Sequence, residues 1–241
     1  MFNEDEAREK LAQLARIFAM QGMLGLFGHV SVYNPEKKRL FITPGMGSDK
    51  GQLRPEDMVP CDLDGKPQSS GRPPVEWPIH TALHAARADA LAVAHLHPPH
   101  ATLFTIAKRE FQPVTLQGTL FSDGVPLYRE AQLVTTPERG RALVKIIGDK
   151  RAALLRAHGT VVVGRNLTEV LYAALVLEDD AKKTLQAAAL GEVDPLSLDQ
   201  ARAFNAEMDF ERRAERAWNY FSSVEARWDR QPGTGRVELF P

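Results

Sequence analysis

Residues 89–100 read DALAVAHLHPPH, a run of small and apolar residues that ends in three histidines. An apolar run of this length predicts a buried β-strand. Because successive side chains of a strand point to opposite faces of the sheet, His95 and His97 would share one face. Leaving a polar ring unpaired in the core is costly. The stretch therefore predicts a strand that delivers two histidines to a metal ion or to a hydrogen-bond network.

A third histidine completes a candidate metal site. The chain has seven histidines, and His158 lies in the sequence AHG at residues 157–159, between two predicted strands. Three neutral imidazoles around one ion leave a coordination position open, which is typical of catalytic rather than structural zinc. The alternative is that each histidine is hydrogen-bonded in the core or at the surface, the commoner situation for a single histidine. The His-x-His pair favours the metal interpretation.

Composition places the chain among globular proteins and excludes several classes of function. It has 241 residues, of which 44% are hydrophobic and 25% are charged, and its net charge is −1 without a basic run. This balance lacks the electrostatic footprint of nucleic-acid binding. The sequence has no apolar span of about 20 residues and no secretory signal, so we expect no membrane partner. The single cysteine, Cys61, fits a reducing compartment, and we predict a cytoplasmic protein.

Helix and strand patterns mix along the chain without a linker, which predicts one α/β domain with a mixed sheet and flanking helices. The predicted helices cover residues 3–23, 78–87, 99–107, 136–147, 166–190 and 197–221. The predicted strands cover residues 30–33, 40–43, 89–97, 153–156 and 161–163. Two helix starts carry a capping signal, because Asn3 and Asn166 are each followed by a glutamate three positions later. We assign residues 1–230 to this domain and residues 231–241 to a mobile C-terminal tail.

A carboxylate precedes the helix that is predicted over residues 78–87. Glu76 lies among apolar residues and prolines in the sequence RPPVEWPIH. Such a carboxylate can transfer protons as a general acid or base, but it can equally interact with the helix dipole, and the sequence alone leaves both readings open. His80 and His84 follow four residues apart, as in helical zinc sites, but without the glutamate of the usual motif. We interpret this pair as structural.

Five short segments together resemble the class II aldolase/adducin family, which includes fuculose- and rhamnulose-phosphate aldolases. The segments are GHVS at 28–31, ITPG at 42–45, EWPIH at 76–80, HLH at 95–97 and HG at 158–159. The resemblance covers roughly residues 11–190. It implies a central, largely antiparallel sheet between helical layers, and a homotetramer with active sites at subunit interfaces.

The resemblance also implies roles for the histidines and for Glu76. His95, His97 and His158 would hold one divalent metal per subunit, commonly zinc, and Glu76 would be the catalytic acid or base. Three imidazoles also suit manganese, iron and cobalt.

The chain departs from the sugar-phosphate aldolases of the family where they bind phosphate. Those enzymes have an asparagine after the first glycine and a Ser-Ser pair before the catalytic glutamate, whereas this chain has His29 and Pro74-Val75. Proline has no N–H and valine has no hydroxyl, so a phosphate would lose several charge-assisted hydrogen bonds of about 1.5–3 kcal/mol each. The region that supplies a tyrosine in the aldolases, residues 113–117, has none. We therefore do not expect a sugar-phosphate substrate.

The predicted function is that of a metal-dependent carbon–carbon lyase. Family members without the phosphate features include decarboxylases of hydroxylated aromatic or pyridine carboxylates. A metal can stabilise the enolate-like anion that forms when either CO₂ or an aldehyde leaves. We predict decarboxylation of a non-phosphorylated, carboxylate-bearing substrate. The alternatives are a class II aldolase that cleaves a small hydroxy-keto compound, and a non-catalytic binding module like the adducin head.

The predicted substrate contacts come from two glycine-rich loops and from two further side chains. The loops at residues 28–31 and 43–48 offer backbone N–H groups to an anion, and Trp77 and Phe121 are candidates for an apolar wall. The residues predicted to bind substrate are His29, Ser31, Thr43, Gly45, Tyr128 and His100.

Overall fold

The computed structural model describes residues 2–45 and 47–228, which form one seven-stranded sheet with helices on both faces. The strands are β1 (His29–Asn34), β2 (Arg39–Ile42), β3 (Val59–Cys61), β4 (Ala92–Leu96), β5 (Leu127–Tyr128), β6 (Ala152–Leu155) and β7 (Gly159–Gly164). Their order is β3-β2-β1-β4-β7-β6-β5, and only the β5–β6 pair is parallel among these strands. The predicted single α/β domain with a largely antiparallel sheet is confirmed. The predicted tail, residues 231–241, lies outside the described residues.

Six α-helices surround the sheet in the described part of the chain. They are α1 (Glu4–Met20), α2 (Trp77–Ala86), α3 (Pro137–Ile147), α4 (Leu167–Ala188), α5 (Leu198–Ala206) and α6 (Phe210–Trp228). Within residues 2–45 and 47–228, no helix has the length and apolar character needed to cross a membrane.

The first helix begins where its capping signal predicts. The Asn3 side chain accepts hydrogen bonds from the backbone N–H groups of Asp5 and Glu6, which satisfies two of the free donors at the helix start. The helix ends at Met20, three residues earlier than predicted. Gly22 follows with a φ of 70°, a left-handed conformation that terminates helices and that glycine adopts without strain.

The two faces of the sheet pack against different helices. In β4, Ala92, Ala94 and Leu96 belong to the core cluster that α1, α4 and α6 cover. Val93, on the opposite face, belongs to a second cluster that includes residues of α2 and α3. His95 alternates with Ala94 and Leu96, so it points to the α2 side of the sheet. This places α2, which begins directly after Glu76, over the face that carries the histidines.

The long helix predicted over residues 197–221 is in fact two helices, α5 and α6. Asp209 accepts a hydrogen bond from the backbone N–H of Arg212 and so caps the start of α6. Near the end of α5, the Asn205 side chain bonds to both the hydroxyl and the carbonyl oxygen of Thr119. These contacts anchor the end of α5 to a distant 3-10 helix, Gly118–Phe121, before α6 begins.

Three other features differ from the sequence-based expectation. The segment predicted as a helix over residues 99–107 forms a shorter 3-10 helix, Ala101–Thr105. The Glu178 carboxylate accepts the backbone N–H groups of His100 and Ala101 and thereby fixes the start of that turn. Strands β3 and β5 were not predicted, because their three and two residues are too few to show an alternating pattern.

The contact between α2 and α3 depends on Gly140. A Cβ atom at this position would lie 2.5 Å from the Pro78 carbonyl oxygen and 3.0 Å from the Ala82 Cβ. Helix propensity alone favours alanine over glycine by about 1 kcal/mol. We expect the clash to reverse this sign, so that Gly140→Ala lowers the free energy of unfolding by about 1–3 kcal/mol in chemical denaturation. Gly25→Ala is the matched control, because nothing lies within 4 Å of its added Cβ. Equal stability of the two variants would contradict the close helix contact.

Candidate metal and catalytic site

Strand register gathers the histidines at one end of the sheet. In the β1–β4 pair, His29 lies opposite His95, and in the β4–β7 pair, Leu96 lies opposite Thr160. The loop that precedes β7 is therefore next to the end of β4, and it carries His158. This loop is tight, because a Cβ on Gly159 would lie 2.3 Å from the Leu96 carbonyl oxygen. Only glycine allows this approach, so the local sequence His-Gly is needed for the geometry.

The three histidines predicted as metal ligands do come together. One ring nitrogen each from His95, His97 and His158 lies within 4.8 Å of the others. The Nε2 atoms of His95 and His97 are 3.1 Å apart, and the three ring centroids are 4.7–4.9 Å from one another. The distance of 3.1 Å between His95 Nε2 and His97 Nε2 is compatible with an N–H···N hydrogen bond, and also with a cation bound by both rings. Nitrogen donors in this number fit a divalent transition metal with an open position.

The surroundings of His95 and His97 favour the neutral imidazole, which is the form that binds metal. Burial lowers the pKa of His95 well below its usual range, and neighbouring His97 and His158 act in the same direction. Burial, with a contribution from His158, lowers the pKa of His97 to about 4. His95 Nδ1 lies 3.0 Å from the Thr160 carbonyl oxygen. The proton of His95 therefore belongs on Nδ1, and Nε2 presents its lone pair to the cluster.

Glu76 directs one carboxylate oxygen toward the histidines. It occupies the capping position of α2, but its side chain makes no capping hydrogen bond. Instead, Oε1 accepts the backbone N–H of Val134 at 2.9 Å. Oε2 lies 3.6 Å from His95 Nε2 and 3.5 Å from His158 Nε2. Of the two readings left open by the sequence, the geometry therefore matches a carboxylate facing the cluster rather than one that caps the helix.

The structure corrects the prediction that the loop at residues 43–48 offers free N–H groups to an anion. Two of its N–H groups already donate hydrogen bonds to backbone carbonyls. The Thr43 N–H donates to the Val30 carbonyl oxygen, and the Gly45 N–H donates to the Arg72 carbonyl oxygen. The Thr43 hydroxyl oxygen accepts the N–H of Val30. Pairing with distant backbone groups thus satisfies donors that the sequence alone suggested were free. Substrate contact by the Thr43 hydroxyl or by Gly45 stays a prediction.

The structure puts the other predicted substrate-binding residues in three different settings. Ser31 is fully buried, and its hydroxyl lies between two histidines, so it has no surface to offer a substrate. Tyr128 is 3% exposed and packs in the core cluster under α2 and α3. His100 is partly exposed, and its Nδ1 lies 2.7 Å from Glu178 Oε1, so its Nε2 remains available. Glu178 lies within α4, and no sequence pattern pointed to this contact.

His80 and His84 join His29 in a buried network that the sequence analysis missed. His80 and His84 are four residues apart, so they lie on one face of α2, and Glu76 is at the capping position four residues before His80. That face meets the β1 residues His29 and Ser31, with which His80 and His84 form hydrogen bonds. The four-residue spacing was visible in the sequence, but its partner strand was not.

An exposed apolar surface borders the cluster. The Phe27 ring stacks on His97 with centroids 5.9 Å apart, and this side chain is 55% exposed. Val75 and Leu133 are also exposed, and they adjoin Glu76 and its partner Val134 in the chain. Phe121 and Trp77, the two residues predicted to form an apolar wall, pack against other parts of the protein. Phe121 is buried in the core beside Phe111, and Trp77 covers Gly65.

Comparisons with known proteins give consistent results. Residues 9–185 match the family described as Class II Aldolase and Adducin N-terminal domain. A 3,4-dihydroxyphthalate decarboxylase of Arthrobacter keyseri is 30% identical over 199 residues, which cover 77% of this chain and 80% of that protein. An L-fuculose phosphate aldolase of Methanocaldococcus jannaschii is 28% identical over 173 residues, covering 70% and 90%. The solved L-fuculose 1-phosphate aldolase of Glaciozyma antarctica matches in fold, with a TM-score of 0.81 at 22% identity over 94% of this chain and 91% of its own.

Proposed function

Because the chain belongs to the class II aldolase and adducin family, we propose that it is a metal-dependent carbon–carbon lyase that decarboxylates a hydroxylated aromatic carboxylate. One observation carries the proposal: three imidazoles and Glu76 converge, while the donors that would bind a phosphate are missing or already paired. The 30% identity to a 3,4-dihydroxyphthalate decarboxylase supports the same substrate class.

The metal-binding residues of the proposal are His95, His97 and His158. Zinc is the ion we propose, because three imidazoles with an open position are typical of catalytic zinc. When bound, such an ion would supply a Lewis acid that stabilises negative charge on a substrate oxygen. Manganese, iron or cobalt would find the same nitrogen donors.

Glu76 supplies the proton that decarboxylation consumes. The carbon–carbon bond to the carboxylate breaks, CO₂ leaves, and the electron pair that stays on the ring carbon takes up one proton. The carboxyl group of Glu76 suits this transfer, because the Val134 N–H fixes Oε1 and leaves Oε2 facing the cluster. A positioned proton donor contributes about 10²–10⁴-fold to a rate.

The neighbourhood of the cluster favours an apolar, aromatic substrate over a sugar phosphate. Phe27 offers an exposed ring beside His97, and Val75 stands where the sugar-phosphate aldolases carry a serine. The N–H groups of Thr43 and Gly45 are occupied by backbone carbonyls. A phosphate would have to break those hydrogen bonds, which costs about 1–3 kcal/mol for each group left unpaired.

Aldol cleavage of a small hydroxy-keto compound is the second candidate, and the 28% identity to an L-fuculose phosphate aldolase favours it. A non-catalytic module like the adducin head would need neither the imidazoles nor Glu76, so their presence supports an enzyme. By family resemblance we further propose a homotetramer, and by composition a cytoplasmic location.

A product screen tests the proposed reaction. The zinc-loaded protein is incubated with 3,4-dihydroxyphthalate and related hydroxy-aromatic carboxylates, with hydroxy-keto acids, and with fuculose 1-phosphate. We expect CO₂ from a hydroxy-aromatic carboxylate and no cleavage of the sugar phosphate. Aldehyde release from the sugar phosphate, without CO₂ from any aromatic acid, would overturn the proposal.

A further inference from the structure

Four buried side chains form a continuous row behind the candidate site, which we call the histidine chain: His29, His80, Ser31 and His84. His29 Nδ1 lies 2.6 Å from His80 Nε2, and His80 Nδ1 lies 2.6 Å from Ser31 Oγ. Ser31 Oγ lies 2.8 Å from His84 Nε2. At the far end, His84 Nδ1 lies 2.5 Å from the Ala90 carbonyl oxygen. All four residues are at most 5% exposed, so water does not compete for these hydrogen bonds.

The carbonyl of Ala90 sets the direction of every hydrogen bond in the histidine chain. Burial lowers the pKa of His84 to about 4 and that of His80 well below its usual range, so these two rings are neutral. His29 is only 4% exposed, and a charged ring there would lose its hydration. A neutral imidazole donates from one nitrogen and accepts at the other. Since a carbonyl oxygen only accepts, the proton of His84 lies on Nδ1, and its Nε2 is an acceptor.

The same reasoning fixes the protons of the remaining members. The Ser31 hydroxyl donates to His84 Nε2, which leaves the Ser31 oxygen to accept from His80 Nδ1. His80 Nε2 is then the acceptor for the proton on His29 Nδ1. The lone pair of His29 therefore lies on Nε2, which has no hydrogen-bond partner among the residues that the structure describes. A nitrogen of His29 lies within 4.8 Å of a Glu76 oxygen and a His95 nitrogen.

We propose that the histidine chain fixes His29 Nε2 as a hydrogen-bond acceptor, which selects ligands with a hydroxyl group. Ser31 is the positioning residue, because its hydroxyl keeps the proton of His29 on Nδ1 through His80. A ligand hydroxyl can donate to Nε2, whereas an ether or ionised phosphate oxygen offers only lone pairs and is disfavoured. The asparagine that sugar-phosphate aldolases carry at this position can turn its NH₂ group toward an anion. The fixed imidazole cannot. Only the ligand class, a hydroxyl on an aromatic carboxylate, rests on the proposed function.

The proton positions are measurable without any ligand. In the zinc-loaded protein with ¹⁵N-labelled histidine, long-range ¹H–¹⁵N spectra distinguish the two tautomers of each ring. We expect His29, His80 and His84 all to carry the proton on Nδ1, as the directions of the hydrogen bonds require. A proton on Nε2 of His29 would overturn the proposal, whatever reaction the protein catalyses.

Ligand binding tests the selection itself. Dissociation constants are measured by calorimetry for a hydroxy-aromatic carboxylate and for its methyl ether, in the Glu76→Gln background so that no turnover occurs. Ser31→Ala should reduce the preference for the hydroxyl by about tenfold, the value of one hydrogen bond. Ser31→Thr, which restores a hydroxyl, should recover it. Thr184→Val removes a buried hydroxyl that bonds only to Asp180 on α4 and should leave the preference unchanged.

The outcomes separate the inference from the proposed function. An unchanged preference in Ser31→Ala, with His29 still protonated on Nδ1, would overturn the positioning role of Ser31. If no aromatic carboxylate binds or loses CO₂, the proposed function fails, and the tautomers alone then decide whether the histidine chain holds His29 as an acceptor.

Discussion

Replacing His97 by alanine is expected to weaken binding of the divalent metal by more than about 100-fold, since removing even an outer partner of a metal ligand costs 10–100-fold. The fold should survive, because His97 follows the end of β4 and its side chain is only partly buried. Its backbone N–H would still donate to the Met23 carbonyl oxygen. Metal content after dialysis and thermal unfolding of the same sample measure the two effects.

The control for this prediction is His100→Ala. His100 lies three residues further along and bonds to Glu178 rather than to the cluster, so this variant should keep its metal. Equal metal content in His97→Ala and the unmodified protein would show that His97 is not a ligand.

The second large effect is expected from Glu76→Gln. Glutamine keeps the size of the side chain and an oxygen that can accept the Val134 N–H, but it cannot deliver a proton. We expect kcat to fall by about 10²–10⁴-fold, the contribution of a positioned acid or base. Metal content should stay the same, because the three imidazoles are untouched.

Glu138→Gln is the matched control, because Glu138 is an exposed residue in the first turn of α3. Its kcat should equal that of the unmodified protein. A Glu76→Gln variant that also keeps a normal kcat would remove Glu76 from the proton-transfer step.

The sequence predicted the cluster of His95, His97 and His158 because each of its members carries a local signal. His95 and His97 alternate at the end of an apolar strand, and His158 is followed by the glycine that its tight loop requires. The resemblance to a family added a catalytic role for Glu76, which stays a prediction, and the structure shows that its Oε2 faces the histidines. These predictions depend on positions a few residues apart, where periodicity is a good guide.

The rest of the site depends on contacts between segments far apart in the sequence. His80 and His84 show helical spacing, but their hydrogen bonds to His29 and Ser31 arise only when α2 packs on β1. The Gly45 N–H was predicted to be free because its partner, the Arg72 carbonyl, lies 27 positions later (72 − 45). The break between α5 and α6, in contrast, was readable from the sequence, since Asp209 is a typical helix-capping residue.

The fate of the carboxylate carbon and of the added proton tests the central claim most directly. The zinc-loaded protein is supplied with a hydroxy-aromatic carboxylate, labelled with ¹³C in its carboxyl group, in D₂O. We predict one ¹³CO₂ per product molecule and one deuterium on the ring carbon that carried the carboxylate, both lost in Glu76→Gln and in His97→Ala. Release of an aldehyde instead of ¹³CO₂, or ¹³CO₂ release that persists in both variants, would contradict a decarboxylase built on this histidine–glutamate site.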